Sequence, residues 1–178
     1  MEIRRIRPGD SRMDISRIYE ESWKSAYKGI VPQTYLDSIP KGRWAPYLDQ
    51  PDWHTLICIE GGHIIGTTSF CKSRFEQFAS WGEIISLYLL PQYVGRGYGK
   101  ALLKAAIREL KEMGFHDVFL WVLEENHRAR LFYEKMGFLF SGNFMEDSIG
   151  GKTLREVRYT YSPDLSGSAE SELCRQEV

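Results

Sequence analysis

The chain has 178 residues, 43% hydrophobic and 26% charged, with 23 Lys and Arg against 24 Asp and Glu for a formal net charge of −1. That is long and apolar enough to bury a core as one domain, and it excludes disorder as the default. Nothing in the bulk charge calls for nucleic acid or an anionic membrane as partner, and no apolar run approaches the roughly 20 residues of a spanning helix.

The opening MEIRRIRPGD lacks the apolar segment of a secretory signal. Cys58, Cys71 and Cys174 are odd in number without CxxC spacing, so reduced thiols in a cytoplasmic protein are expected. His54, His63, His116 and His127 show no ligand spacing, and no metal is indicated.

In chain order, residues 3–7 alternate and read as a strand. Pro8-Gly9-Asp10 turns the chain, with Asp10 or Ser11 placed to cap the next helix. Over 13–27, Ile15, Ile18, Tyr19, Ser22, Trp23 and Ala26 recur at helical spacing. Gly29 stops that helix and Pro32 begins another, with Tyr35, Leu36 and Ile39 on one face. Residues 40–52 read as a loop. Strands over 54–60 and 63–70 flank Gly61-Gly62, a hairpin signal, and 83–90 is a third strand. Residues 97–113 form a helix with Leu103, Ile107 and Leu110 inward and Gly114 as its stop. The run DVFLWVL at 117–123 suits a strand buried on both faces. Asn126 caps a helix over 126–136, and strands over 138–145 and 152–161 pair around Gly150-Gly151. Residues 1–161 are expected to form one domain and the polar 162–178 a tail. The element order predicts an α+β fold: a mixed sheet with helices packed on it.

The segment LYLLPQYVGRGYGKALL places Gly95, Gly97 and Gly99 between a strand and a helix start. A helix N-terminus leaves backbone N–H groups unpaired and partly positive, and glycines let a phosphate approach them. Arg96 and Lys100 add cations. A tight turn that happens to be glycine-rich is the plain alternative. A P-loop is excluded, because Val94 occupies its first glycine position and Ala101 its hydroxyl position. The dinucleotide fingerprint also fails, at Lys100 or Leu102 in its two registers.

SLYLLPQYVGRGYGKALL resembles the pyrophosphate loop of the GNAT superfamily, the GCN5-related N-acetyltransferases, whose consensus is Gln/Arg-x-x-Gly-x-Gly/Ala. Gly97 and Gly99 match its two glycines, and Val94 departs from its Gln/Arg. The pattern also fits one step earlier, as Gln92-x-x-Gly95-x-Gly97; the later register starts the helix where the family does. A second segment, LWVLEENHRARLFYEKMGF, is similar to the family's strand–Asn–helix element, through Asn126, Ala129, Phe132, Tyr133, Gly137 and Phe138.

The resemblance implies the GNAT acyl-CoA N-acyltransferase fold: a mixed, mostly antiparallel sheet flanked by helices, with a splayed central strand pair holding acetyl-coenzyme A. It implies acetyl transfer to a primary amine by direct attack in a ternary complex. Its cofactor contacts map to Leu87, Leu89, Leu90, Val94, Gly95, Arg96, Gly97, Tyr98, Gly99, Lys100, Asn126, Ala129, Phe132 and Tyr133. Tyr133 matches the tyrosine that reaches the coenzyme A sulfur, and a backbone N–H at or near Leu89 serves the carbonyl. Many relatives carry a base at Glu83. It and Leu89 are expected on one face with Ile85 and Leu87, about 20 Å apart at roughly 3.3 Å per residue, which calls for a water relay. A salt bridge at Glu83 is the plain alternative, as a helix cap is for Asn126 and solvent for Arg128 and Arg130.

Family acceptors sit between the first two helices and the later strands. There Trp23, Tyr27 and Tyr35, with Trp44 and Trp53 beyond, suit a cationic amine, aided by Glu20 and Glu21; they also suit simple packing. The acceptor expected is a small-molecule or peptide amine, with polyamine, aminoglycoside, amino acid and protein N-terminus all open, and a homodimer is admitted. A GNAT-fold module that senses acyl-coenzyme A without turnover is the competing reading, and Tyr133 argues against it.

Overall fold

A computed structural model describes residues 1–162; the expected tail beyond Ser162, with Cys174, lies outside the described residues. The elements follow the expected order: β1 (Glu2–Arg5), α1 (Arg12–Ala26), α2 (Gln33–Ser38), β2 (His54–Glu60), β3 (His63–Lys72), β4 (Gly82–Leu89), α3 (Tyr98–Glu112), β5 (Val118–Leu123), α4 (His127–Lys135), β6 (Leu139–Ile149) and β7 (Lys152–Tyr161). The strands form one sheet in the order β1-β2-β3-β4-β5-β7-β6. Every pairing is antiparallel except β4 with β5, where α3 provides the crossover that parallel neighbours need.

Local chemistry sets the boundaries. β1 ends earlier than its alternation suggests, because Asp10 closes a turn by accepting the Arg7 amide at 2.6 Å while Arg4 grips its carboxylate. Ser11, not Asp10, caps α1, its hydroxyl accepting from the Asp14 amide at 3.1 Å. Both hairpins turn on the expected Gly-Gly pairs, at positive φ. β6 runs past its expected end to Ile149 and carries a register shift between Phe140 and Phe144.

Two layers cover the sheet. On one face α3 and α4 bury Leu102, Leu103, Ala106, Leu110 and Tyr133 against Ile84, Val118, Leu120, Val157 and Tyr159. On the other, α1, α2 and the 40s loop cover Ile57, Leu123 and Leu154 with Ile15, Tyr19, Leu36 and Leu48. The loop is pinned by Glu20, which is buried and accepts from Ser16 Oγ at 2.9 Å and the Gly42 amide at 2.7 Å.

Candidate active site

The sheet opens at its centre. β4 and β5 pair over Gly82↔Val118, Glu83↔Phe119 and Ile84↔Leu120, and no further. The strands part at a bulge: Ser69↔Ser86 gives way to Phe70↔Ile84 across β3, which leaves Ile85 as an extra residue and bends β4. Leu90 donates its amide to the Ile65 carbonyl at 2.9 Å, on the β3 side. Backbone groups alternate along a strand, so the N–H groups of Leu87 and Leu89 face the opening, where no β5 residue pairs with them. Ser22 braces this edge by donating to the Leu89 carbonyl at 2.7 Å.

The bulge overturns one expectation. Ile84, Leu87 and Leu89 pack toward α3, whereas Ser86 and Tyr88 bond to Tyr19 and Trp23 of α1 and to Tyr27, which caps its C-terminus. Glu83, next to Ile84, therefore shares the α1 face with Ser86 and Tyr88, not the face of Leu87 and Leu89. Its carboxylate is 1% exposed and held by Arg74. The guanidinium donates to Oε1 at 2.6 Å and Oε2 at 3.1 Å, and the Arg74 amide donates to Oε2 at 3.1 Å.

At the end of the gap stands the glycine loop. Gly97 is the N-cap of α3, with φ 89°, and Gly95 has φ 85°, a region closed to most side chains. The first α3 amide to bond within the helix is Ala101, to the Gly97 carbonyl at 3.1 Å. The amides of Gly95, Arg96, Gly97, Tyr98, Gly99 and Lys100 find no backbone acceptor among the described residues. A Cβ on Gly95 or Gly97 would meet no protein atom within 4 Å, so the space before these amides is open. Val94 is exposed and Arg96 rests over the Tyr93 ring at 5.7 Å. A Cβ on Gly99 would lie 3.5 Å from Leu89 and 3.7 Å from Phe132, so loop, β4 and α4 meet there.

α4 supplies Tyr133. Asn126 caps this helix, its Oδ1 accepting the Ala129 amide at 3.2 Å, and Ala129 and Phe132 pack against the core beside Tyr133. The Tyr133 ring is buried against Phe132 and Phe138, while its hydroxyl makes no hydrogen bond among the described residues. Burial, and then the neighbouring Tyr88, hold its pKa well above the ordinary phenol value. Arg130 is spent on the Tyr159 hydroxyl and the Glu124 carbonyl, and Arg128 is exposed.

Across the gap lies an aromatic wall. Trp23 meets Tyr27 edge-on at 4.9 Å and Trp44 at 5.5 Å, and its indole donates to the Tyr88 hydroxyl at 3.1 Å. Tyr27 and Tyr88 share a 3.3 Å hydroxyl contact; burial pushes Tyr88 up to about 12 and Tyr27 well above its ordinary value. Tyr35 is bonded by Arg43 and touches the β6–β7 turn, where a Cβ on Gly150 would come within 2.6 Å of it. Lys152 closes this end by bonding the Ile30 carbonyl at 2.8 Å. The structure thus brings Trp23, Tyr27 and Tyr35 together but removes their expected helpers. Glu20 is occupied with the 40s loop, Glu21 pairs with Arg17 one helical turn away, and Trp53 lies under Arg74.

Sequence reasoning missed Tyr88, Trp121 and Glu156 on this face. Trp121 of β5 carries a buried indole N–H with no partner among the described residues. Glu156 of β7 pairs with Leu123 across β5 and is half-buried. Glu156 shows in the sequence only as a polar group alternating with core residues, which reads as a solvent face until α1 and α2 are seen to cover it, while Trp121 lies inside a run that reads as core throughout.

A gap between parallel strands, a run of unpartnered amides at its mouth and an unbonded phenol with Tyr88 of β4 as its electrostatic neighbour together admit an extended, phosphate-bearing thioester. The comparisons agree. Residues 14–138 match the acetyltransferase (GNAT) family. The chain is 32% identical over 158 residues to the [ribosomal protein bS18]-alanine N-acetyltransferase of Haemophilus influenzae, covering 89% of this chain and 88% of that protein. It is 28% identical over 163 residues to the spermidine N(1)-acetyltransferase of Thermoplasma acidophilum, covering 89% and 98%. Its fold superposes, with a TM-score of 0.70 and 26% identity over 90% of this chain and 98% of the other, on the PaiA N-acetyltransferase of Thermoplasma acidophilum in complex with coenzyme A. The chain is an acetyl-coenzyme A-dependent N-acetyltransferase of the GNAT family.

Proposed function

We propose that this acetyltransferase works in the β4–β5 gap, taking its amine from the face walled by Trp23, Tyr27, Tyr35 and Tyr88. The observation that carries this reading is the meeting of three features at one opening: unpaired N–H groups of Leu87 and Leu89, free amides from Gly95 to Lys100, and the unbonded Tyr133 hydroxyl. Bound acetyl-coenzyme A supplies the activated acyl carbon and a thiolate leaving group. The loop amides and the α3 N-terminus hold the pyrophosphate, with Arg96 and Lys100 beside them. Leu87 and Leu89 hold the pantetheine arm, and the Leu89 N–H donates to the carbonyl oxygen as it gains charge. Val94 and Tyr98 flank the phosphates, Leu90 anchors the strand end, and Asn126, Ala129 and Phe132 set α4 so that Tyr133 reaches the sulfur.

Tyr133 is the acid. Its raised pKa keeps it protonated, and a thiolate formed in the same low-dielectric gap has a raised proton affinity as well. Glu83, expected as the base, is in our reading a structural anchor whose lone pairs Arg74 occupies. The acceptor is a small-molecule or peptide primary amine, since relatives of this chain are named for a polyamine and for a protein alanine. A cytoplasmic setting fits two buried free thiols, Cys58 and Cys71, whose pKa values burial raises to about 11 and about 12. For a homodimer, the exposed Leu139, Phe140 and Phe144 on the edge strand β6 are the support.

The test is release of free thiol from acetyl-coenzyme A in the presence of spermidine, kanamycin, free amino acids and an alanine-initiated peptide. At least one amine should accelerate release far above hydrolysis. Tight acetyl-coenzyme A binding with no amine-dependent release across the panel would favour a sensor and overturn the reading.

A further inference from the structure

With Glu83 spent on Arg74, the reaction lacks a group to take the proton that an alkylammonium carries at neutral pH. We propose that Glu156 is that group: it receives the acceptor ammonium beside the thioester and takes its proton. The inference rests on acetyl transfer taking place in the β4–β5 gap.

Register places the residue there. Glu156 pairs with Leu123 at the C-terminal end of β5. Ile84 pairs with Leu120, so, allowing one residue for the bulge at Ile85, Tyr88 stands level with Leu123 and hence with Glu156. Val157 and Tyr159 pack toward α3 and α4, and Leu154 packs under α2, so the alternation of β7 turns Glu156 to the acceptor face with Leu154 and Arg158. Two strand spacings, about 10 Å before the splay widens them, separate β4 from β7. An amine lying over Leu123 therefore has the Leu89 N–H and the gap on one side and Glu156 on the other.

Glu156 is also available. Its carboxylate makes no hydrogen bond or ion pair among the described residues, whereas those of Glu20, Glu83, Glu124 and Glu125 near this face are all engaged. The groups that face it are Arg74 from the β3–β4 loop, Asp147 from β6, Tyr27 at the C-terminal cap of α1 and Tyr88 from β4; Arg158 on its own strand is turned to Ser141, Asn143 and the Phe78 ring. Burial chiefly, and then Asp147, raise its pKa, while Arg74 lowers it. A carboxylate so raised is a stronger base than one in water.

The step balances. Glu156 takes one proton from the ammonium, the freed lone pair forms the C–N bond, and the C–S bond breaks as Tyr133 gives its proton to sulfur. The surplus proton on nitrogen passes to the Tyr133 oxygen, and Glu156 releases its own to water.

The experiment uses the full chain with the best amine from the panel above. Glu156→Gln should keep wild-type coenzyme A affinity by calorimetry and lose about 10²-fold in kcat/KM at neutral pH. That deficit should shrink at least tenfold between about pH 7 and about pH 9.5, because the free fraction of an amine with pKa about 10.4 rises with pH. Should Glu156→Gln fail to fold, the exposed Asp147→Asn carries the test. It should move the Glu156 carboxyl titration, read by NMR, and the acidic limb of kcat/KM to lower pH together. A Glu156→Gln profile parallel to wild type, or an Asp147→Asn limb that stays put, would overturn the inference alone. An absence of turnover in wild type with every amine would overturn the underlying reading as well.

Discussion

Replacing Gly97 by alanine separates cofactor binding from folding. Gly97 has φ 89° and caps α3, and its missing Cβ points into space with no protein atom within 4 Å. An L-residue held in that conformation costs about 1–2 kcal/mol, and no clash is added. If the residue instead relaxes to negative φ, the amides of Tyr98 and Gly99 swing away from the gap. Each charge-assisted N–H bond to a phosphate is worth about 1.5–3 kcal/mol, so losing even one weakens binding about tenfold or more. Gly97→Ala should therefore lower stability by about 1–2 kcal/mol and raise the coenzyme A Kd at least tenfold. Gly99→Ala is the control: its φ is ordinary and its Cβ would sit 3.5 Å from Leu89, so it should change neither by much. Calorimetric titration with coenzyme A and chemical denaturation of the same samples provide both numbers. A Gly97→Ala protein that is destabilised as expected yet binds with wild-type Kd would refute the assignment of the pyrophosphate to these amides.

Tyr133→Phe should lower kcat about 10²-fold with coenzyme A affinity intact, measured by thiol release and calorimetry; unchanged kcat would make the ring packing only. Glu83→Gln breaks a pair in which Glu83 is 1% exposed and Arg74 47%. It should cost about 2 kcal/mol in denaturant melts, less than a fully buried pair because Arg74 reaches water, and leave the shape of the pH–rate profile as in wild type. A deficit confined to low pH would restore Glu83 as base. Asp10, bonded by Arg4 and the Arg7 amide, has its pKa lowered from 3.8 to about 2 by the Arg4 hydrogen bonds first. Its folded pKa lies below the unfolded one, so its contribution is full above the unfolded value and lost as pH falls through the folded value. Asp10→Asn should thus cost about 1–2 kcal/mol at neutral pH, and the difference from wild type should vanish near pH 2 in acid melts.

Much of the fold was legible because local signals agreed with the global one. Ser11, Asn126 and the Gly-Gly hairpins mark their boundaries by side-chain chemistry, and the apolar run at 117–123 marks a strand buried on both faces. The glycine loop was legible for the same reason: residues with positive φ leave a trace in composition. What misled was a single residue. The bulge at Ile85 depends on the partner strand, and no pattern within GEIISLYL announces it. It turns Glu83 away from Leu89 and toward Arg74, so the carboxylate that spacing favoured is the one electrostatics removes. Glu156 escaped because an alternating strand with one polar face looks solvated. Only the packing of Trp23, Tyr27 and Tyr35 over that face shows it to be half-buried.

The central claim is that the parted strands β4 and β5 hold acetyl-coenzyme A for transfer, and a crystal structure of the complex with acetyl-coenzyme A tests it most directly. It should show the pantetheine between Leu87–Leu89 and β5, and the pyrophosphate on amides from Gly95 to Lys100. The thioester oxygen should accept from the Leu89 N–H, with the sulfur in hydrogen-bond reach of the Tyr133 hydroxyl. A cofactor seated elsewhere, or a thioester beyond reach of both Leu89 and Tyr133, would contradict the account.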